Sequence, residues 1–256
     1  MHIHVYFTPS AIVTRETQPG DVFTVIDVIR ATTTLAVIFD RGASRVFVAG
    51  SIEQAHSAAR LRPGRFLCGE RNVRPLPGFD YGNSPVQFSQ LDLTGRELIL
   101  TTTNGTRAFY ACPPGTIRLG GSFYNAHAVI AHALRLAQER DSNIAIVCSG
   151  EFDYFALDDA VCAGFLVRTL QQMAHAPTNV QIHESALAAI TLYEAYQPPK
   201  LTPYARSAQS VIEAGLPSDV TFCMQTNMSR SVPIVVGIEE ETGLLVLEKV
   251  YSIAEQ

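Results

Sequence analysis

Short β-branched runs alternate with stretches of helical periodicity along most of this chain. The apolar runs predict strands at residues 3–7, 22–28, 45–48, 66–68, 97–101, 116–119 and 144–148, with a terminal hairpin at 233–237 and 244–247. A capping box from Ser51 to Gln54 begins one predicted helix, and apolar residues recur at helical spacing in 124–140, 156–173 and 185–196. This alternation predicts an α/β fold with layered α/β/α architecture and a mostly parallel or mixed sheet. We expect one domain over residues 1–256.

Composition narrows the classes of function. The chain has 256 residues, of which 47% are hydrophobic and 17% charged, so nearly all of it should be packed. Its net charge of -5 argues against a general affinity for nucleic acid or for an anionic membrane. No run of about 18 apolar residues and no leader-like N-terminus occurs, so we expect a cytoplasmic protein. The five scattered cysteines predict buried free thiols and no structural zinc site.

The first segment that suggests chemistry follows the predicted strand at 22–28. Asp27 lies at its carboxyl end, where open α/β sheets bind ligands. A buried carboxylate needs a cation or hydrogen-bond donors, which a metal ion or Arg30 could supply. Thr32 and Thr33 belong to a run of three threonines at a helix start, which favours anion binding by hydroxyls and free amides. The alternative is that Asp27 caps the helix and pairs with Arg30.

A second segment combines charges with an irregular connection. Glu70 and Arg71 follow the strand at 66–68, and the Gly- and Pro-rich stretch after them carries Asn83 and Ser84. Long irregular connections with paired charges are more often functional than idle. The alternative is an exposed loop with solvated ion pairs, which is the interpretation we prefer for Arg74.

The third segment follows the strand at 97–101 and repeats the pattern of strand, hydroxyls and helix start. Its candidate ligand-binding residues are Thr102, Thr103, Asn104, Gly105 and Thr106. Gly105 would let the backbone approach a ligand, and the amides after Asn104 would point at it. A simple Asn-Gly turn is the competing interpretation.

The fourth segment ends the strand at 144–148 with the small polar turn Ser149-Gly150, followed by Glu151. Asp158 and Asp159 then precede a helix, where they could complement the helix dipole. One of these three carboxylates could instead complete a magnesium shell, because Mg²⁺ takes a few carboxylates together with water and substrate oxygens.

The four segments together resemble a known family. The runs VIDVIRATTT, GERN with GFDYGNSP, TTTNGTRA, and CSGE with ALDDAVCAG are similar to the 2-phosphosulfolactate phosphatases of the ComB type, in the same order over about residues 22–165. Residues 218–233 also resemble that family. The resemblance implies a family-specific α/β fold and a Mg²⁺-dependent release of inorganic phosphate from 2-phosphosulfolactate, giving sulfolactate, a step towards coenzyme M.

Matched block by block, the resemblance and the residue chemistry assign candidate roles. The catalytic candidates are Asp27, Arg30, Glu70 and Arg71. The candidate Mg²⁺ ligands are Asp27, Glu70, Glu151, Asp158 and Asp159. The candidate substrate-binding residues are Thr32, Thr33, Asn83, Ser84, Thr102, Thr103, Asn104, Gly105, Thr106, Ser149 and Gly150.

The implied substrate carries phosphate, carboxylate and sulfonate, so we expect arginines to neutralise it, namely Arg30, Arg71 and Arg107. Water activated at the metal is the preferred nucleophile, and an aspartyl-phosphate on Asp27 is the second choice. A haloacid dehalogenase-type enzyme would need an acidic residue where Ile29 stands, which counts against that class.

Three alternatives stay open. Cys112 and Arg118 have the spacing of a cysteine phosphatase loop, but two prolines remove amides that such a loop needs, so we interpret that match as coincidental. A cysteine hydrolase of another kind and a non-catalytic sensor of a phosphorylated or sulfonated acid are the rival functions. The partner is expected to be a small anionic phosphate ester, and a homo-oligomer is left open.

Overall fold

The computed structural model describes residues 1–173 and 180–251. Within these ranges the strands are β1 (His2–Tyr6), β2 (Val22–Ile26), β3 (Arg45–Val48), β4 (Phe66–Arg71), β5 (Arg74–Pro75), β6 (Glu97–Thr101), β7 (Ile117–Gly121), β8 (Ile144–Cys148), β9 (Gln181–Ile182), β10 (Ser231–Ile238) and β11 (Leu245–Tyr251). The α-helices are α1 (Ala31–Asp40), α2 (Ile52–Leu61), α3 (Pro85–Ser89), α4 (Gly105–Ala111), α5 (Ala126–Arg140), α6 (Leu157–Met173), α7 (Glu184–Ala195), α8 (Arg206–Glu213) and α9 (Pro217–Cys223).

The strands form one mixed sheet in the order β5-β4-β6-β3-β11-β10-β7-β2-β8-β1-β9. It contains two parallel blocks, β4-β6-β3 and β7-β2-β8-β1-β9, and the antiparallel hairpin β10-β11 joins them. Because the hairpin pairs antiparallel with both blocks, the blocks run in opposite senses along the sheet. The predicted layered α/β fold with a mixed sheet is confirmed.

The core explains how the two blocks come together. Val25 and Val147 from one block and Val48 and Leu100 from the other belong to one continuous apolar cluster, which also includes Phe39 of α1. The sheet therefore curls around α1. A β-bulge in β10, at the junction of the blocks, is the kind of irregularity that increases local twist and bends a sheet. As a result, the carboxyl ends of strands from both blocks meet.

Two further clusters cover the outer faces of the sheet. The larger packs β1, β2 and β8 against α5, α6 and α7, with Ile146, Val129 and Leu166 among its fully buried members. A smaller one packs α2 on the outside of β3 and β6. Burial on both faces explains why the strands read as nearly continuous apolar runs rather than alternating ones.

Local sequence signals locate most elements to within a few residues. Ser51 caps α2 as predicted, since its hydroxyl accepts the Gln54 amide at 3.2 Å. The Gln54 side-chain oxygen accepts a hydrogen bond from the amide of Gly50 rather than from that of Ser51. The shortest elements were not predicted, because two to eight residues carry little periodic signal. They are helices α3, α8 and α9 and edge strands β5 and β9. Across the described residues, every helix is too short or too polar to cross a bilayer.

Candidate functional site

The carboxyl ends of β2, β4, β6 and β8 surround a cleft of about 410 Å³. All four segments singled out in the sequence contribute to its wall. The predicted site residues that line it are Asp27, Arg30, Glu70, Asn83, Thr103, Asn104, Ser149, Gly150, Glu151, Asp158 and Asp159. The fold thus brings to one place residues that are up to about 130 positions apart, as the hydrogen bond between the Val28 amide and Asp159 illustrates.

Asp27 lies at the floor of this cleft, directly after β2. Its Oδ1 accepts the Ala31 amide at 3.2 Å, and its backbone is tied to Thr32 by three hydrogen bonds. Burial raises the pKa of Asp27 to about 7, the Ala31 amide opposes the rise, and the charges of Glu70 and Asp158 add to it. The Asp27 carboxylate therefore accepts the first amide of α1, which agrees in part with the capping alternative, but it also faces the cleft and makes no ion pair with Arg30.

Gly105 serves Asp27 rather than a ligand directly. A Cβ atom at position 105 would lie 2.6 Å from Asp27 Oδ2 and 2.7 Å from the Ala31 Cβ. Only glycine lets the start of α4 approach the end of β2 this closely. The contact joins the two parallel blocks at the cleft, and a second link across the same junction is the hydrogen bond from the Phe152 amide to Asn104 Oδ1 at 3.1 Å.

The threonines mostly bond back onto the backbone. The hydroxyls of Thr32 and Thr33 donate to the carbonyls of Asp27 and Val28, both at 2.9 Å. Thr102 and Thr106 bond each other's backbone at the start of α4. None of these four hydroxyls lines the cleft, so their visible role is to hold the two turns that carry the site.

Two of the five predicted metal ligands have both carboxylate oxygens engaged by the protein. Glu70 accepts the amides of Val73 and Thr103 at 2.9 and 2.7 Å. Asp159 accepts the amide of Val28 at 2.9 Å, and its other oxygen accepts the Ser149 hydroxyl and the Gly150 amide. Glu70 thus connects the ends of β4 and β6, and Asp159 connects the ends of β2 and β8.

The remaining two predicted ligands are less constrained. Asp158 lines the cleft and accepts the Ser207 hydroxyl at 2.6 Å together with backbone amides at the start of α6, and Glu151 makes a 3.5 Å contact with the Arg206 Nε. Burial raises the pKa of Asp158, and burial together with the charges of Asp158 and Asp27 raises the pKa of Asp159 well above its ordinary range. Within residues 1–173 and 180–251, none of Asp27, Asp158 and Asp159 forms a salt bridge. The cleft floor therefore groups three buried acidic side chains whose ionised forms have no protein counter-charge within these ranges.

This donor set fits Mg²⁺ in one particular way. No three His, Cys, Asp or Glu side chains among the described residues converge as a ready-made cage. Mg²⁺ does not need one, since it commonly binds one or two carboxylates and completes its shell with water and phosphate oxygens. Asp27 and Asp158 are buried, uncompensated oxygen donors on the cleft floor, which is the environment that such an ion requires.

The predicted arginines differ in where they lie. The Arg30 guanidinium is buried and donates to Asp219 Oδ2 and to the Val73 carbonyl, both at 2.8 Å. Arg71 bonds the Glu70 carbonyl and the Thr101 hydroxyl and does not line the cleft. Arg107 lines a separate, smaller depression that shares Asn104 and Ser149 with the cleft.

Two buried polar atoms at the cleft wall lack a partner among the described residues. They are Asn83 Oδ1 and Thr103 Oγ1. Desolvated polar atoms without hydrogen bonds are costly, so a pair of them in a cleft indicates a place where a ligand or water supplies the missing bonds. The hydroxyl of Ser84, by contrast, is fully engaged, since it donates to Asp219 Oδ1 at 2.6 Å.

Comparison with known proteins identifies the family. The family model of 2-phosphosulpholactate phosphatase matches residues 6–237. The chain belongs to the 2-phosphosulfolactate phosphatase family. A relative from Deinococcus radiodurans is 35% identical over 228 residues, which cover 88% of this chain and 92% of the relative. One from Symbiobacterium thermophilum is 35% identical over 84% of this chain and 91% of its own length, and one from Carboxydothermus hydrogenoformans is 30% identical over 91% and 92%. Each is named "probable 2-phosphosulfolactate phosphatase".

The predicted family and the predicted class of enzyme, a phosphoric monoester hydrolase, are thereby confirmed. The family assignment also agrees with the state of the thiols. All five cysteines are buried and free, as predicted, and none lines the cleft. Burial raises the pKa of the Cys112 thiol to about 12, and its Sγ contacts the Ala108 carbonyl in the interior. The rival interpretation as a cysteine hydrolase has no nucleophile in this site.

Several cleft residues of this 2-phosphosulfolactate phosphatase family member lie outside the set predicted from the sequence. Arg74 was predicted to lie in a solvated loop, yet it lines the cleft, as do Arg206, Ser207 and Ser210 of α8. Asp219, the buried partner of Arg30, comes from α9. The family-like segment at 218–233 was the available signal for Asp219, whereas α8 carried no motif that could have drawn attention to it.

Proposed function

We propose that this protein hydrolyses 2-phosphosulfolactate to sulfolactate and inorganic phosphate, with Mg²⁺ as its cofactor. The observation that carries the proposal is the uncompensated carboxylate cluster of Asp27, Asp158 and Asp159 on the floor of a cleft. An anionic phosphate ester could not approach these charges without a cation between them. We infer the substrate from the names of the relatives, and we infer the metal from the carboxylate cluster.

Each part of the cleft has a role in this proposal. Asp27 and Asp158 would hold Mg²⁺, with Glu151 at the rim as a further candidate. When bound there, Mg²⁺ would offset the charge of the phosphoryl group and polarise it. The unpartnered Thr103 hydroxyl would donate a hydrogen bond to the phosphate end of the substrate, and the unpartnered amide oxygen of Asn83, which only accepts, would bond a donor such as a water molecule beside it. Glu70 and Asp159 would keep the strand ends in register around the site.

Arg30 is suited to hold one substrate oxyanion while Asp219 fixes its orientation. Its two terminal nitrogens each donate one hydrogen bond, to Asp219 and to the Val73 carbonyl, which leaves the other guanidinium hydrogens for the cleft. A guanidinium anchored on two sides loses little entropy when it meets a ligand. Arg71 and Arg107 take no direct part in this proposal because neither lines the cleft.

The nucleophile is water in our proposal rather than Asp27. The Asp27 carboxylate already accepts the Ala31 amide and lies against the backbone of Gly105, so its free lone pairs are better placed to hold a cation than to attack phosphorus. Hydrolysis of an ester made chiral at phosphorus with oxygen isotopes checks this. One direct displacement by water should invert the configuration at phosphorus, whereas two successive displacements through an aspartyl-phosphate on Asp27 would retain it.

The function itself is tested by phosphate release from synthetic 2-phosphosulfolactate, with Mg²⁺, with excess chelator, and after Mg²⁺ is restored. We expect release that the chelator abolishes and Mg²⁺ restores, and a loss of at least about 1000-fold in Asp27→Asn. Asp141→Asn is the matched control, because Asp141 is an exposed left-handed helix cap that asparagine tolerates. Binding of the ester without release would favour the non-catalytic sensor.

A further inference from the structure

Within the part of the chain that the structure describes, two exposed arginines, Arg74 and Arg206, line the cleft without a close ionic partner. Arg74 belongs to β5, and its guanidinium makes no ion pair or hydrogen bond within the described residues. Arg206 is the first residue of α8, and its single ionic contact is the 3.5 Å approach to Glu151, with 85% of the side chain exposed. Both guanidinium groups can therefore turn to a ligand at little cost.

The charge distribution distinguishes these two from Arg30, the third arginine of the cleft. The positive charge of Arg30 is balanced by Asp219 in the interior. The floor carries the carboxylates of Asp27, Asp158 and Asp159, so an acidic group of a ligand would be repelled there unless the proposed Mg²⁺ lay between them. Positive charge that is free to meet such a group is found at the rim, on Arg74 and Arg206.

The start of α8 adds hydrogen-bond donors beside Arg206. Ala205, at the N-cap, offers no side-chain bond to the first-turn amides of this helix. The Ser210 hydroxyl also lines the cleft and has no partner within residues 1–173 and 180–251. Ser207 differs, since it is bonded to Asp158. The α8 side of the rim thus combines a guanidinium, a free hydroxyl and the positive end of a helix, all of which favour an oxyanion.

We propose that Arg74 and Arg206 bind the acidic groups of the substrate other than the phosphate, and so determine the preference for an ester that carries both sulfonate and carboxylate. The inference rests on the proposed function. It places the phosphate at the floor, beside Asp27, Asn83 and Thr103, and the remaining acidic groups at the rim. Specificity then comes from two residues on β5 and α8, outside the four motifs found in the sequence.

The test compares Arg74→Gln and Arg206→Gln on three esters: 2-phosphosulfolactate, 2-phospholactate and phenyl phosphate. We expect each variant to lose about 10- to 100-fold in kcat/KM on 2-phosphosulfolactate, less on 2-phospholactate, and under about twofold on phenyl phosphate, because a charge-assisted hydrogen bond is lost only where the acid group exists. Arg168→Gln is the matched control, since Arg168 is an exposed, Glu-paired arginine outside the cleft. Equal losses on all three esters would overturn the proposal.

Binding of sulfolactate and of lactate, measured by calorimetry with Mg²⁺ present, separates this inference from the proposed function. If the wild-type protein hydrolyses none of the esters, the proposed function fails. A tenfold or greater loss of sulfolactate affinity in either variant would still support the arginine pair. Sulfolactate affinity that is absent in the wild type, or unchanged in both variants, would overturn it.

Discussion

Arg30 and Asp219 are 189 residues apart in the chain, and their guanidinium and carboxylate groups meet at 2.8 Å in the interior. Asp219 also accepts the Ser84 hydroxyl at 2.6 Å, so one carboxylate of α9 positions both the turn after β2 and the residue that caps α3. Burial of both charged groups is nearly complete. The pair connects the stability of the fold to the geometry of the cleft.

We predict that Asp219→Ala lowers the free energy of unfolding by about 3–5 kcal/mol, because it leaves a buried guanidinium without its counter-charge. Urea unfolding measures this. Asp219→Asn should fold better and show a raised KM with a smaller change in kcat, since Arg30 loses its orientation but keeps its place. Ser84→Ala removes the hydrogen bond between Ser84 and Asp219 and should leave KM unchanged. If KM rises as much in Ser84→Ala as in Asp219→Asn, Asp219 does not act by positioning Arg30.

Gly105→Ala should impair activity strongly, because the added methyl group would have to displace the Asp27 carboxylate from 2.6 Å. Phosphate release is expected to fall by at least about 100-fold while the chain stays folded by circular dichroism. Gly237→Ala is the control, since a Cβ there meets no atom within 4 Å. Full activity of Gly105→Ala would show that the site tolerates a displaced Asp27.

Asp158 and Asp159 are neighbours in sequence, yet we predict opposite effects for their variants. Asp158→Asn should keep or increase stability, because it relieves repulsion among buried carboxylates, and should lower activity by at least about tenfold. Asp159→Ala should cost several kcal/mol, on the order of 3, because three buried donors lose their acceptor. Thermal unfolding and phosphate release on both variants decide this, and equal stability losses would contradict the division of roles.

The ion pair of Arg65 with Glu239 makes stability depend on pH in the acidic range. The hydrogen bond from Arg65 lowers the pKa of Glu239 from 4.5 to about 2. A depressed pKa stabilises the folded state above pH 4.5, and this contribution is lost as the pH falls from 4.5 towards 2. Glu239→Gln should therefore cost about 1–3 kcal/mol at pH 7 and almost nothing at pH 2.

Urea unfolding of the wild type and of Glu239→Gln across this pH range measures the effect. Glu139→Gln serves as the control, because Glu139 and Arg135 are about half exposed, and such surface pairs contribute under about 1 kcal/mol. A cost of Glu239→Gln that stays constant between pH 7 and pH 2 would show that it comes from packing and not from the charge.

Thiol reagents should leave the native enzyme active. Every cysteine is buried, and burial raises the pKa of the Cys68, Cys148 and Cys162 thiols as well as that of Cys112. We expect iodoacetamide under native conditions to modify little protein and Cys112→Ser to retain phosphate release. Rapid inactivation by alkylation, with protection by substrate, would restore the cysteine-based alternative.

Local sequence patterns predicted the longer strands, the long helices and the family. Buried parallel strands produce continuous apolar runs, helices over about ten residues produce a clear period, and both signals are local. Four polar segments at strand ends pointed to Asp27, Glu70, Thr103, Ser149 and Asp158 before any contact was known. The expected single domain and the role of each site residue stay predictions.

Which of those residues face the cleft depends on long-range packing. The hydroxyls of four threonines predicted to bind an anion are instead hydrogen-bonded to the backbone, namely those of Thr32, Thr33, Thr102 and Thr106. Arg71 lies outside the cleft, whereas Arg74, three residues later, lines it. The hairpin that joins two oppositely directed blocks also curls the sheet, which brings α8 and α9 to strand ends that they do not follow in the chain. Contacts such as Arg30 with Asp219 depend on that long-range packing, and no local pattern of residues encodes them.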